Sequence, residues 1–121
     1  MPPIRILIAD DDAFQRALVR IVVLYHFPAA IVTEAPDGQS TLAAYETDGT
    51  DAIITDIHMP IMDGVALTHT IRSRNSTIPI IVVSSASDSE APARQAGASH
   101  YLAKATLLTH LPQVLTEVLA D

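Results

Sequence analysis

The chain has no cysteine and only one lysine, and each scarcity narrows what it can do. Without cysteine there is neither a disulfide framework nor a thiolate metal site. Nearly half of the 121 residues are hydrophobic (49%), yet no apolar run is long enough to span a membrane. The N-terminal Met1-Pro2-Pro3-Ile4-Arg5 passes directly into a strand-like run and has no signal-peptide organisation. Internal repeats, low-complexity tracts and linkers are also missing. Basic residues are few, 7 against 14 acidic, for a net charge of −7. That balance argues against direct nucleic-acid contact by this segment, because gripping phosphates needs a basic face. It leaves room for a DNA-binding domain in a longer parent. The expectation is a soluble cytoplasmic protein of one domain, since a chain of this length builds one core and not two.

The single lysine, Lys104, lies just beyond the last apolar run before the C-terminal helix, in His100-Tyr101-Leu102-Ala103-Lys104. Acidic residues occupy comparable places upstream. Asp10-Asp11-Asp12 follows Ile4-Arg5-Ile6-Leu7-Ile8-Ala9, and Asp56 follows Ala52-Ile53-Ile54-Thr55. If these runs are parallel strands, their carboxyl ends share one edge, where open α/β sheets bind ligands.

The pattern supports that arrangement. It predicts strands over 4–10, 30–34, 52–56, 79–84 and 99–103, alternating with helices over 13–26, 38–47, 64–73, 89–96 and 107–119. Such alternation reads as βα units around a parallel sheet. Ala52-Ile53-Ile54-Thr55 and Ile80-Ile81-Val82-Val83 are apolar throughout, as strands buried on both faces are. Five units cannot close an eight-fold barrel, so an open doubly wound sheet is expected. Asp12 is placed to cap the first helix with Gln15 as a capping-box partner. Asp37-Gly38 and Asp63-Gly64 open the second and third helices. Ser89 is placed to cap the fourth, with Pro92 in its first turn and Gly97 at its end. Phe14, Leu18, Ile21 and Tyr25 form one helical stripe, read as the core face. Val19, Val22, Val23, Leu24 and Phe27 add a second apolar side, read either as wider burial or as a partner surface. Pro112 interrupts the apolar pattern Leu107, Leu108, Leu111, Leu115, Leu119, so the last helix either starts late or kinks.

Asp10, Asp11 and Asp56 at adjacent strand ends would repel one another unless a cation were present. A hard divalent ion suits oxygen ligands, and Mg2+ fits best because it takes a few carboxylates and keeps several waters. Asp56 is the candidate nucleophile, since a carboxylate can form an acyl phosphate. Lys104 would neutralise charge on the transferring group. Ser84, ending the fourth strand, could offer its hydroxyl to a phosphoryl oxygen. Taken singly these are ordinary loop acids, caps and surface charges, and Asp12 and Asp63 read as caps only. The five histidines show no ligand spacing; a transition-metal site at His58 and Asp56 ranks below magnesium.

Together these residues resemble the receiver domain of two-component response regulators, over the whole chain. Ile54-Thr55-Asp56-Ile57-His58-Met59-Pro60-Ile61-Met62-Asp63-Gly64 is similar to the family's phosphoacceptor motif. Ile8-Ala9-Asp10-Asp11 matches its acidic-pair strand, Val82-Val83-Ser84-Ser85 the strand ending in Ser/Thr, and Ala96-Gly97-Ala98-Ser99-His100-Tyr101-Leu102-Ala103-Lys104 the approach to its lysine. The resemblance implies a flavodoxin-like α/β fold, five parallel strands in the order 2-1-3-4-5 with five helices. It implies phosphoryl transfer from a histidine kinase or phosphotransfer protein to Asp56. It also implies Mg2+ on Asp11, Asp56 and the backbone carbonyl of His58, with Asp10 helping through water, and Lys104 and Ser84 on the phosphoryl group. Ser84 and Tyr101 would act as switch residues that alter the face of the fourth helix, fifth strand and fifth helix toward an output protein or a C-terminal effector domain. The family's kinase-docking surface uses the first helix, and a homodimer is compatible with the resemblance.

The chain departs from the family pattern in having Ala105 after the lysine instead of proline, which implies a trans bond and a different entry into the last helix. Ser85 replaces a small apolar residue, and Pro112 disturbs a helix of the usual output face. Positions 58 and 86 flank the family's route of attacking water; Ala86 cannot orient a water, which implies slow self-dephosphorylation. The expected protein is a signalling module, not a turnover enzyme. Its rivals are a Mg2+-dependent aspartyl-phosphate phosphohydrolase, a receiver used mainly as a dimerisation or interaction module, a flavin-binding module and an inert pseudo-receiver. The phosphohydrolase is disfavoured because Asp56-Ile57-His58 lacks a second acid. The flavin module is disfavoured because Asp10-Asp11-Asp12 repels phosphate.

Overall fold

A computed structural model describes residues 2–85 and 89–120. Ala86, and with it the expectation about the attacking water, lies outside the described residues. Strands β1 (Arg5–Ala9), β2 (Ile31–Ala35), β3 (Ala52–Thr55), β4 (Ile80–Ser84) and β5 (His100–Ala103) alternate with helices α1 (Ala13–His26), α2 (Gly38–Asp48), α3 (Gly64–Ser73), α4 (Glu90–Ala96) and α5 (Leu107–Leu119). All strand pairs are parallel, and the order across the sheet is β2-β1-β3-β4-β5. This is the doubly wound order that the resemblance implied.

The two-residue period of a strand makes two cores from one sheet. Ile6, Ile8, Ile54, Ile81 and Val83 pack on one face under α1 and α5, with Val23, Leu111 and Leu115. Leu7, Ile53, Ile80 and Val82 face the other way, against Leu67 and Ile71 of α3 and Ala93 of α4. The inner strands β3 and β4 are buried along their whole length, whereas the edge strand β2 is largely exposed. Far from the acidic edge, Arg72 of α3 ties the α4–β5 turn to the segment before β4, donating to the Gly97 carbonyl (2.8 Å) and Ser99 Oγ (3.2 Å) of the first and to the Ile78 carbonyl (2.7 Å) of the second.

Three local expectations change. The stripe read as the core face of α1 points outward: Phe14, Ile21 and Tyr25 are 82%, 64% and 81% exposed, while Val19, Val22 and Val23 are buried. Of that stripe only Leu18 packs against the core. Both sides are apolar, so periodicity could not choose between them. Arg16 and Arg20 help fix the rotation, because both reach Glu34 on β2 (3.2 and 3.3 Å) from the side opposite the exposed stripe. The partner-surface reading of Val19 and Val23 therefore falls.

Second, Asp12 caps α1 through the N–H groups of Phe14 (2.9 Å) and Gln15 (3.4 Å), but Gln15 does not complete a capping box. The Asp12 N–H donates to Asp10 Oδ1 instead (2.9 Å). Third, Ser89 occupies the N-cap of α4 without a side-chain capping bond. The last helix keeps its expected bounds, Leu107–Leu119, and runs through Pro112, which removes the late start from the two options the sequence left open. A 3-10 turn over Lys104–Thr106 leads into it, and no described peptide bond is cis, as expected for Ala105 in place of proline.

Candidate functional site

Asp10 follows the last residue of β1, and Asp56 follows the last residue of β3, the neighbouring strand. The register places Ala9 opposite Thr55, so both carboxylates leave the sheet at one edge. The Asp56 N–H donates to the Ala9 carbonyl (2.9 Å), and its own carbonyl accepts from the Thr55 hydroxyl (2.8 Å). Thr55 is fully buried, so this backbone is held on both sides. The approach of α3 is as close: the Gly64 N–H donates to the Ile57 carbonyl (2.8 Å), and a Cβ at Gly64 would overlap the Asp56 carbonyl oxygen. Gly38 is tight for the same reason, against the Met62 carbonyl.

Asp10, Asp11 and Asp56 each present a carboxylate oxygen, and these atoms all lie within 4.8 Å of one another. Asp10 and Asp56 are buried and Asp11 is exposed, so the cluster opens outward through Asp11. Three oxygens this close are a donor set for a hard cation, and the residues present fit a magnesium ion. Lys104 comes in from the end of β5. Its ammonium donates to Asp56 Oδ2 (3.1 Å) and lies 3.8 Å from Asp10 Oδ2. Asp56 Oδ1 accepts from the Ile57 N–H (2.7 Å).

Burial pushes the Asp10 carboxyl above its ordinary 3.8; the Asp12 N–H and Lys104 pull the other way, but the charges of Asp56 and Asp11 add to the rise. For Lys104, burial alone would lower the ammonium's pKa. The hydrogen bond and charge of Asp56, with Asp10 and Asp11, outweigh it and leave the group above its ordinary 10.5. The lysine stays charged because the acids need a counter-ion.

The sequence-expected acids and Lys104 thus come together in one place. Ser84 is buried at the end of β4. Thr55 lies opposite Val82, so Ser84 leaves the same edge as Asp56. Tyr101 sits opposite Val82 on β5, half-buried, and lines an open groove with Ser84, Glu90 and His110. His58 is exposed, two residues beyond Asp56. Sequence reasoning missed Arg16, whose Nη1 donates to the Asp10 carbonyl (2.7 Å). The signal was present: a basic residue in a helical first turn that holds no acid, four residues after the last of three aspartates.

The family model for the response regulator receiver domain matches residues 6–116. The transcriptional regulatory protein PrrA of Mycobacterium tuberculosis is 36% identical over 110 residues, covering 88% of this chain and 46% of that protein. The chain thus spans about half the length of the curated relatives it matches. Among solved structures, a putative response regulator from Chloroflexus aurantiacus superposes with a TM-score of 0.90 at 27% identity, covering 99% of this chain and all of that one (100%). The receiver domain of the sensor histidine kinase PA1611 from Pseudomonas aeruginosa, solved with a magnesium ion in its active-site cleft, superposes at 0.87 with 24% identity, covering 99% of this chain and 100% of that one, a likeness of fold. With the matching motifs clustered at one sheet edge, the chain belongs to the response regulator receiver domain family.

Proposed function

We propose that this receiver is a phosphorylation switch in which Asp56 accepts a phosphoryl group from a histidine kinase or phosphotransfer protein. The observation that carries the reading is the pairing of Lys104 Nζ with Asp56 Oδ2 at 3.1 Å, beside an oxygen cluster within 4.8 Å. An Asp56 carboxylate oxygen attacks phosphorus, the bond from phosphorus to the donor's imidazole nitrogen breaks, and the electron pair leaves on that nitrogen. Lys104, held in its charged form, offsets the negative charge gathering on the transferring group. Asp10, Asp11, Asp56 and the His58 backbone carbonyl are the proposed Mg2+ ligands, Asp10 through water. Magnesium, when bound, supplies positive charge where the phosphoryl oxygens must lie. Ser84 is proposed to hydrogen-bond the phosphorylated Asp56, and Tyr101 to move with it, altering the α4–β5–α5 face. The output is then a C-terminal effector domain or a separate protein, as the longer relatives named as transcriptional regulators suggest.

The exposed stripe of Phe14, Ile21 and Tyr25 on α1, with Leu108 of α5 nearby, is the surface we propose for the phosphodonor's docking. Apolar side chains repeating at helical spacing suit an amphipathic helical partner. The reading of the chain as mainly an interaction module uses the same surface.

Intact mass after incubation with acetyl phosphate, with and without Mg2+, tests the switch. A single phosphoryl adduct is expected, requiring Mg2+ and absent in Asp56→Asn. No adduct under any condition would refute the reading, and steady release of phosphate from a phosphoester would favour the phosphohydrolase.

A further inference from the structure

Arg16 is the fourth residue of α1, in a first turn that contains no acidic residue. A cation there opposes the helix macrodipole, whose positive end lies at the N-terminus. Its side chain is also only 18% exposed. A charge in an unfavourable field and largely out of water needs compensating contacts. Arg16 has two: Nε pairs with Glu34 Oε1 on β2 (3.2 Å), and Nη1 donates to the Asp10 carbonyl (2.7 Å).

That carbonyl belongs to the peptide joining Asp10 to Asp11. Pinning it sets the plane of the peptide, and so one backbone torsion on each side. Asp10 is held further by its N–H, which donates to the Ala35 carbonyl (3.1 Å), and by the Asp12 N–H on its carboxylate (2.9 Å). Asp11 is exposed and its carboxylate makes no hydrogen bond among the described residues, so the backbone that carries its Cβ is the part of its placement that the structure holds. Arg20 reaches the same Glu34 (3.3 Å) and the Val32 carbonyl (3.4 Å), and among the described residues its side-chain hydrogen bonds go to β2 and none to the Asp10–Asp11 peptide.

We infer that Arg16, braced by Glu34, is a positioning residue that fixes the Asp10–Asp11 peptide and so aims the carboxylates of the acidic cluster at a divalent cation. The inference rests on the reading that the cluster holds Mg2+. Coulomb's law alone gives the opposite sign: removing a nearby positive charge should tighten cation binding. Positioning makes it weaker, by about tenfold or more, as losses of residues that orient metal ligands do.

Titration calorimetry of the whole chain with Mg2+ decides the matter on wild type, Arg16→Met, Arg16→Lys and Arg20→Met, with urea midpoints recorded without metal. The expected result is a loss of about tenfold for Arg16→Met and a smaller loss for Arg16→Lys, whose single ammonium cannot fork between Asp10 and Glu34. Arg20→Met should keep wild-type affinity even if its urea midpoint falls. Affinity unchanged or tightened in Arg16→Met overturns the inference, and so does a parallel loss in Arg20→Met, which would mark a general brace between α1 and β2. If Arg16→Met does not fold, unchanged affinity in Arg16→Lys overturns it equally. Absence of Mg2+ binding by the wild type would remove the metal reading itself, and the inference with it.

Discussion

At the scale of single residues the site is under electrostatic load. Asp10 is 4% exposed and its folded pKa lies above the ordinary 3.8. A raised carboxylate favours folding fully below its ordinary value and loses that contribution as pH rises through the folded pKa. At neutral pH the ionised Asp10 therefore opposes folding of the metal-free protein. Asp10→Asn should raise the melting temperature in EDTA, within the roughly 0.5–2 kcal/mol that single stabilising substitutions reach. The gain should shrink as pH falls toward the range where Asp10 is protonated in both states; thermal melts across pH by circular dichroism check it. A second local strain lies at Ile61, which has φ 72° and is 76% exposed. A left-handed backbone costs an L-residue about 1–2 kcal/mol, whereas asparagine tolerates it. Asn75, at φ 60°, already is one. Ile61→Asn should stabilise the protein by about 1 kcal/mol, measured as a higher urea midpoint with unchanged slope.

At the scale of elements, α1 shows how an amphipathic pattern can be right in kind and wrong in direction. Val23 is fully buried and Ile21 is 64% exposed, two residues apart on one helix. Val23→Glu should cost at least about 3 kcal/mol, because it places an unpaired charge in the core. Ile21→Glu should leave the urea midpoint within about 0.5 kcal/mol of wild type. If the α1 stripe docks the phosphodonor, Ile21→Glu should slow transfer from a histidine kinase and leave phosphorylation by acetyl phosphate unchanged. Equal rates from both donors would clear the stripe of that role. The strands and helices themselves were legible in the sequence, since apolar runs of four or five residues and the caps Asp12, Asp37 and Asp63 are local signals. The rotation of α1 was not. It depends on Arg16 and Arg20 finding Glu34, 18 and 14 residues away.

At the scale of the whole molecule, a net charge of −7 is concentrated partly at one sheet edge, against one lysine. A cation bound only by the folded state stabilises it by mass action, about 2.7 kcal/mol at a hundred times its Kd. Mg2+ should therefore raise the melting temperature more than NaCl of equal ionic strength, and Asp11→Asn should abolish the difference. Equal effects of the two salts would mean general screening. No described helix is long and apolar enough to cross a membrane.

The sequence by itself determined the order of elements, the parallel sheet and the identities of the acids and the lysine. Those follow from short-range patterns: apolar runs, capping residues and the residue that closes each strand. Only the tertiary structure decided which side of α1 is buried, that Asp10 and not Gln15 takes the Asp12 N–H, that α5 runs through Pro112, and that Arg16 grips the Asp10 carbonyl. Each of these is a choice among locally equivalent options. It is settled by contacts between residues that packing brings together, which no short window of sequence contains.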